Sequence, residues 1–314
     1  GGAHIRGISS HGVVAVRNGE VSTSDLSRVL DAARAVALPA DREVLHVLPQ
    51  EYIIDDQEGL KEPVGIAGVR RGRGVDLGAY EYVSPSAANA PVIDSIRSAA
   101  SGEGEGVVPG ALVTIRGRRL AAAERTAAEI PYPSELADVD VRFGELAGRL
   151  LYVSDSLVNV QVPELEPGNT VAVTLRSGAD VSDPVEVRVA DAAPALFEMP
   201  ATQPRRGAVT AQDGALIDSA NKAAPGQLLT ADATGLGAAS LQPDGLRWST
   251  IPPIVYVADV SAEILFAGPH PATPGLDQIN FRVPSGLPPG GEVPFWIEQG
   301  ARKSQRLSLP TRAF

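Results

Sequence analysis

The heptapeptide PGALVTI at Pro109–Ile115 returns about 115 residues later as PGQLLTA at Pro225–Ala231, and no other feature restricts the fold of this chain as tightly. The echo continues in order. RLLYVS (Arg149–Ser154) is answered by EILFAG (Glu263–Gly268), and VNVQVP (Val158–Pro163) by INFRVP (Ile279–Pro284). Each copy then reaches a Pro-Gly turn, Pro167-Gly168 or Pro289-Gly290, and a final pair of alternating segments. Short alternating runs cut by turns roughly every 8 to 12 positions make strands with one apolar face, and a second sheet must cover that face. The repeat therefore predicts two β-sandwiches, at 92–194 and 223–314, joined by a linker or hairpin at 195–222. Composition agrees, because 32 Gly and 26 Pro in 314 residues interrupt the chain too often for many long helices.

The first seventy residues follow another pattern. Leu26, Val29, Leu30, Ala33, Val36 and Ala37 recur at helical spacing and form one apolar stripe. Ser22 and Asp25 make a capping box at the start of that helix, and Pro39 ends it. Before it, Ile5–Ser9 and Val13–Val16 are short β-branched runs, and after it come Val44–Leu48 and Tyr52–Ile54. A helix lying on a small sheet is expected over residues 1–71. Residues 72–91 supply a strand at Val75–Val83 and the boundary SPSAANAP, Ser84–Pro91. The fold class expected is mainly β, with a small α+β N-terminal unit.

The order of residues in HVLPQEYIIDDQEGLKEPVGIAGVR, His46–Arg70, is more specific than this pattern, and the stretch from Ala3 onward matches with it. It resembles the strand-helix-strand-strand interaction subdomain of the bacterial cell-division protein FtsA. That resemblance implies protein binding without chemistry, through contacts with neighbouring FtsA molecules or other division proteins. It implies no nucleotide, since the actin-like ATPase halves that flank the subdomain in that family are not in this sequence, nor is the family's membrane-binding amphipathic helix. GRGVDLGAYEYV, Gly72–Val83, is similar to the closing motif of pectate-lyase-like β-helix surface proteins. The tandem repeat, opening with SIRSAASGEGEGVVPGALVTIRGRRL, resembles a C-terminal module of secreted bacterial proteins, each half like an IPT/TIG immunoglobulin-like domain. Gln278 of the usual Q-I-N strand is replaced by Leu157 in the first copy, while Asn159 and Asn280 are kept. These two asparagines are expected to pin neighbouring loops through side-chain to backbone hydrogen bonds.

Charge and residue types narrow the chemistry. The formal net charge is -11, Arg70, Arg71 and Arg73 make only a short run and Arg205-Arg206 an isolated pair, which argues against nucleic acid. With no cysteine, disulfides, thiolate catalysis and thiolate-bound zinc are excluded. No apolar run approaches the roughly 20 residues that span a bilayer. His4, His11, His46 and His270 are scattered without ligand spacing, so no metal site is expected. Asp55, Asp56 and Glu58 lack the order of a calcium loop and read as a solvated turn ending at Gly59. Gly72, Gly74 and Gly78 miss the dinucleotide fingerprint, and GEGEGVVPG and TGLG lack the Lys-Ser/Thr of a phosphate loop. No serine lies in G-x-S-x-G. Tyr52, Tyr80, Tyr82, Phe281, Phe295 and Trp296 alternate along strands and are assigned to core packing rather than to a carbohydrate platform.

No catalytic residue, cofactor or metal is expected, and the function read from the sequence is a non-enzymatic interaction module. Its partner surface is assigned to Arg17, Asn18, Asp55, Asp56 and Glu58, and its partners to cell-division proteins or another copy of itself. The alternative is a secreted or cell-surface structural protein built on the sandwiches. The first reading places the chain at the cytoplasmic face of the inner membrane and the second outside the cell. A junction at Arg70–Gly74 joining unrelated fragments accommodates both.

Overall fold

The computed structural model describes residues 89–312 apart from 105, 289 and 290, and these belong to one compact unit, Asn89–Phe314. The N-terminal helix and strands expected before residue 72, the strand at Val75–Val83 and the five partner residues lie outside the described residues. Every element assigned within them is a strand.

The two repeat copies fold alike. In the first, Val92–Ser98, Leu112–Arg118, Leu157–Gln161, Arg149–Val153 and Arg125–Thr126 form one sheet in that order. The facing sheet is built around Thr170–Ser177, flanked by Val139–Phe143 and Val185–Arg188. In the second copy, Leu228–Thr234, Asp277–Arg282 and Glu263–Pro269 repeat the centre of the first sheet. Gly291–Gln299, between Pro253–Val257 and Leu307–Thr311, repeats the other. All these pairings are antiparallel.

The sequence pattern explains the layers. Along Val139–Phe143 and Pro253–Val257 alternate residues are buried, and the buried set meets the inward residues of the partner sheet. One apolar cluster in the first half draws Val113, Ile115, Leu150 and Val160 from one sheet and Val141, Phe143, Val173 and Leu175 from the other. A second cluster joins Leu229, Ile279 and Phe281 to Val255, Phe295 and Ile297. Each half therefore has its own core between two sheets. Residues 195–222 belong to the second of these. They supply the strands Ala195–Leu196 and Val209–Ala211 to the sheet edge, and Leu196, Val209 and Ile217 to the core with no exposed surface.

Repeated local devices hold the copies in register. Inside the repeated heptapeptide, at Pro109-Gly110 and Pro225-Gly226, the glycine has positive φ, +79° and +71°, as does Gly168 of the expected Pro167-Gly168 turn at +90°. The turns close by Ala111 N donating to Val108 O and Gln227 N to Ala224 O, each at 3.1 Å, as a turn with glycine in third place requires. A bulge falls at the same point in each: the register slips between Leu150 and Tyr152 in one copy and between Ile264 and Phe266 in the other.

Candidate functional site

The two halves meet through a set of buried polar contacts. Leu112 is 5% exposed, yet it is not part of the first core, because strand alternation aims it away from Val113 and Ile115. What covers it is the second half. A Cβ on Gly275 would lie 2.6 Å from Leu112 Cγ, so the absence of a side chain there is what lets Leu112 pack this closely on the second half. The Leu112 amide donates to Thr234 Oγ1 at 3.0 Å, and the same hydroxyl donates to Gly275 O at 2.8 Å. Ala193 N donates to Gly235 O at 2.9 Å. Within the second half, Gln305 holds the strand that begins just past the junction, with Nε2 donating to Leu196 O at 2.6 Å and Oε1 accepting from Leu196 N at 3.2 Å.

The loop Thr234–Gly237 anchors this junction. Its glycines have φ of +84° and +74°, and a Cβ on Gly237 would stand 2.0 Å from Asp191 O. Asp277 lies beneath the loop, its Oδ2 accepting the Leu236 amide at 2.8 Å, and burial pushes its carboxyl up to about 7, against the opposing pull of the Leu236 and Gly235 amides. Gln299 supports the loop from the other sheet, donating to Leu236 O at 3.0 Å and to Ile251 O at 2.7 Å.

An open groove of about 940 Å³ runs along the junction, with Arg97, Arg188, Arg302, Lys303, Glu103 and Glu186 among its walls. The volume is that of a small-molecule site, but such sites are enclosed and mainly apolar. Three of its four hydroxyls are already engaged: Ser98 Oγ accepts from Ala100 N, Ser101 Oγ from Glu103 N, and Thr234 Oγ1 holds the junction. They are turn and junction fasteners, with no base placed to activate them. No group of three His, Asp or Glu converges as a metal site among the described residues.

His270 is a turn fastener, its Nδ1 accepting from Ala272 N at 3.1 Å and Thr273 N at 3.0 Å. Asn159 and Asn280 are structural, but through a different partner from the loops expected. Each accepts a hydrogen bond from the threonine directly opposite on the neighbouring strand, Thr114 at 2.8 Å and Thr230 at 2.9 Å. A side chain standing on a pleated sheet reaches its cross-strand neighbour before any loop. Phe281 and Phe295 stack in the second core with centroids 5.5 Å apart. Trp296 is also buried, but on the outer face, between Tyr256 at 4.9 Å and the Arg306 guanidinium at 4.0 Å. The junction was not read from the sequence. Its one visible signal was TGLG itself, two glycines flanking a leucine at the end of a strand.

Comparison with known proteins adds information about the other end of the chain. Residues 2–72 match the family model described as the SHS2 domain inserted in FTSA. Over 69 residues, 22% of this chain, the sequence is 61% identical to cell division protein FtsA of Pseudomonas aeruginosa, of which it covers 16%. It is 45% identical to FtsA of Neisseria meningitidis over 69 residues, covering 17% of that protein. The chain thus spans about a sixth of the length of these relatives. Among solved structures, domains 5–6 of the S-layer protein SbsC align over 71% of this chain and 99% of theirs, at 12% identity and a TM-score of 0.23. The plexin A4 extracellular region aligns over 71% of this chain and 16% of its own, at 12% identity and a TM-score of 0.25. Scores this low assign no fold. Residues 2–72 carry an FtsA-type SHS2 domain.

Proposed function

We propose that this protein is a non-enzymatic binding module in which the FtsA-type domain docks a protein of the division machinery and the β-rich unit serves as its structural support. The observation that carries this reading is the 61% identity over 69 residues to an FtsA, a level at which surface as well as core is retained. Arg17, Asn18, Asp55, Asp56 and Glu58 form the proposed docking surface, with another FtsA-type domain or a division protein as the partner. No nucleotide or metal takes part. The domain limits proposed are 1–71 for the docking unit, 72–91 for a strand and linker, 92–194 and 223–314 for two immunoglobulin-like sandwiches, and 195–222 for the segment between them.

The test is a pull-down of purified FtsA and its division partners on the full chain. Arg17→Glu, and separately Asp55→Lys with Asp56→Lys, should weaken capture at least tenfold while leaving the thermal transition in place, because exposed substitutions usually change stability by less than about 0.5 kcal/mol. No capture by the unaltered chain overturns the proposal. A second reading, a structural protein of the cell surface, is favoured by one specific observation: two sheet-on-sheet halves braced at a buried junction suit a stiff spacer. An epitope in 92–314 accessible on intact cells supports that reading, and one reached only after permeabilisation supports the first.

A further inference from the structure

The Leu236 amide is held by a carboxyl group, and the repeat shows that the fold does not require one. Leu120 is its counterpart in the first half. Both leucines are fully buried, and both follow a residue of positive φ, Arg119 at +56° and Gly235 at +84°. The Leu120 amide donates to the backbone carbonyl of Asp155 at 2.8 Å, whereas the Leu236 amide donates to Asp277 Oδ2 at 2.8 Å. A neutral carbonyl thus does in one copy what a titratable group does in the other. The titratable copy is the one placed at the junction. Thr234, next to Gly235, bonds the first half through Leu112 N, Gly235 O accepts from Ala193 N, and Gly237 presses on Asp191 O. Thr234 and Gly235 also line the groove between the halves.

We propose that Asp277 is a proton-controlled latch on this junction: with its carboxyl neutral the Thr234–Gly237 loop stays closed on the first half, and loss of the proton favours an opened loop in which water reaches the carboxylate. Other ionisable groups on the surrounding elements are Asp232, Glu263, Arg282, His270, Asp191, Asp244, Arg247 and Glu298. Glu263 pairs with Arg282 at 2.8 Å at the far end of the ladder, and Glu298 with Lys303 at 2.6 Å. Asp191 accepts from Ala192 N and Asp244 from Trp248 Nε1. Asp232 is itself raised by burial and offset by His270. None of these charges sets the state of Asp277, whose carboxyl is governed by burial and by the amides of Leu236 and Gly235.

The sign follows from linkage. An unfolded or opened Asp277 ionises near 3.8, the closed one near 7, so between these values the closed form holds the extra proton. Closure is fully favoured below about 3.8, weakens as pH rises, and has lost this contribution above about 7.

Hydrogen exchange of the full chain, followed by mass spectrometry from pH 5 to 8 and corrected for intrinsic exchange rates, tests the latch. In the unaltered protein the opening constant for peptides covering 228–237 should rise at least tenfold up to pH 7 and then level off, linkage allowing about tenfold per pH unit at most. Peptides covering 139–143 in the first half should not follow it. Asp277→Asn, which keeps the shape and an acceptor but no proton equilibrium, should be flat to within twofold. Asp277→Ser provides a second non-ionising variant should the first fail to fold. A flat profile in the unaltered protein, or a parallel rise in either variant, overturns the proposal.

Discussion

Thr234→Val asks how much of this molecule's stability runs through its junction. Thr234 is 1% exposed, and its hydroxyl is the single group satisfying both Leu112 N, at 3.0 Å, and Gly275 O, at 2.8 Å. Valine has nearly the same shape, so packing is kept and no cavity forms. What is lost is two hydrogen bonds, with a buried donor on one half and a half-buried acceptor on the other left facing a methyl group. Each such orphan costs about 1–3 kcal/mol, and relaxation at the surface of the groove recovers part, so a loss of about 2–4 kcal/mol is expected. That is a large share of a typical unfolding free energy. Urea unfolding of the full chain is the assay, read in two ways. Both tryptophans, Trp248 and Trp296, lie in the second half, so fluorescence reports that half, while circular dichroism reports strands throughout. The midpoint should fall in both signals for the variant, and the circular dichroism curve should broaden as the halves come apart. Thr230→Val is the control, since it removes only the bond to Asn280 on a partly exposed ladder and should cost about 1 kcal/mol. If Thr234→Val shifts stability by less than about 0.5 kcal/mol, the junction is not a fixed interface and the argument fails.

Phe281→Ala should destabilise the second half by about 3–5 kcal/mol in the same assay, because the ring has no exposed surface and stacks on Phe295. Gly237→Ala should cost at least about 2 kcal/mol, combining a left-handed backbone with a Cβ that would sit 2.0 Å from Asp191 O; thermal unfolding checks it. Arg306→Ala should uncover Trp296 and redshift its emission while changing stability by about 1 kcal/mol or less, as expected for a half-exposed cation over a ring.

The N-terminal domain was legible as a string of residues, because over 69 residues it keeps the order of an FtsA and not only its pattern. In the β-rich unit the repeat was equally legible. Pro109-Gly110 and Pro225-Gly226 close tight turns because only glycine takes the positive φ there without strain, and that requirement is local. The alternation along Val139–Phe143 that buries one face is local in the same way. Tertiary structure decided the rest. Leu112 and Trp296 are both buried outside the two cores, Trp296 having been expected within one: the first is covered by the second half and the other by Tyr256 and Arg306. The partners of Asn159 and Asn280 depend on strand register, which no single strand encodes. Nothing in the sequence singled out Asp277; its burial and its hold on the Leu236 amide exist only once segments more than forty residues apart are brought together. Periodicity and turn chemistry are set by neighbours along the chain, whereas burial of a particular side chain and the state of its proton are set by whatever the fold stacks on top of it.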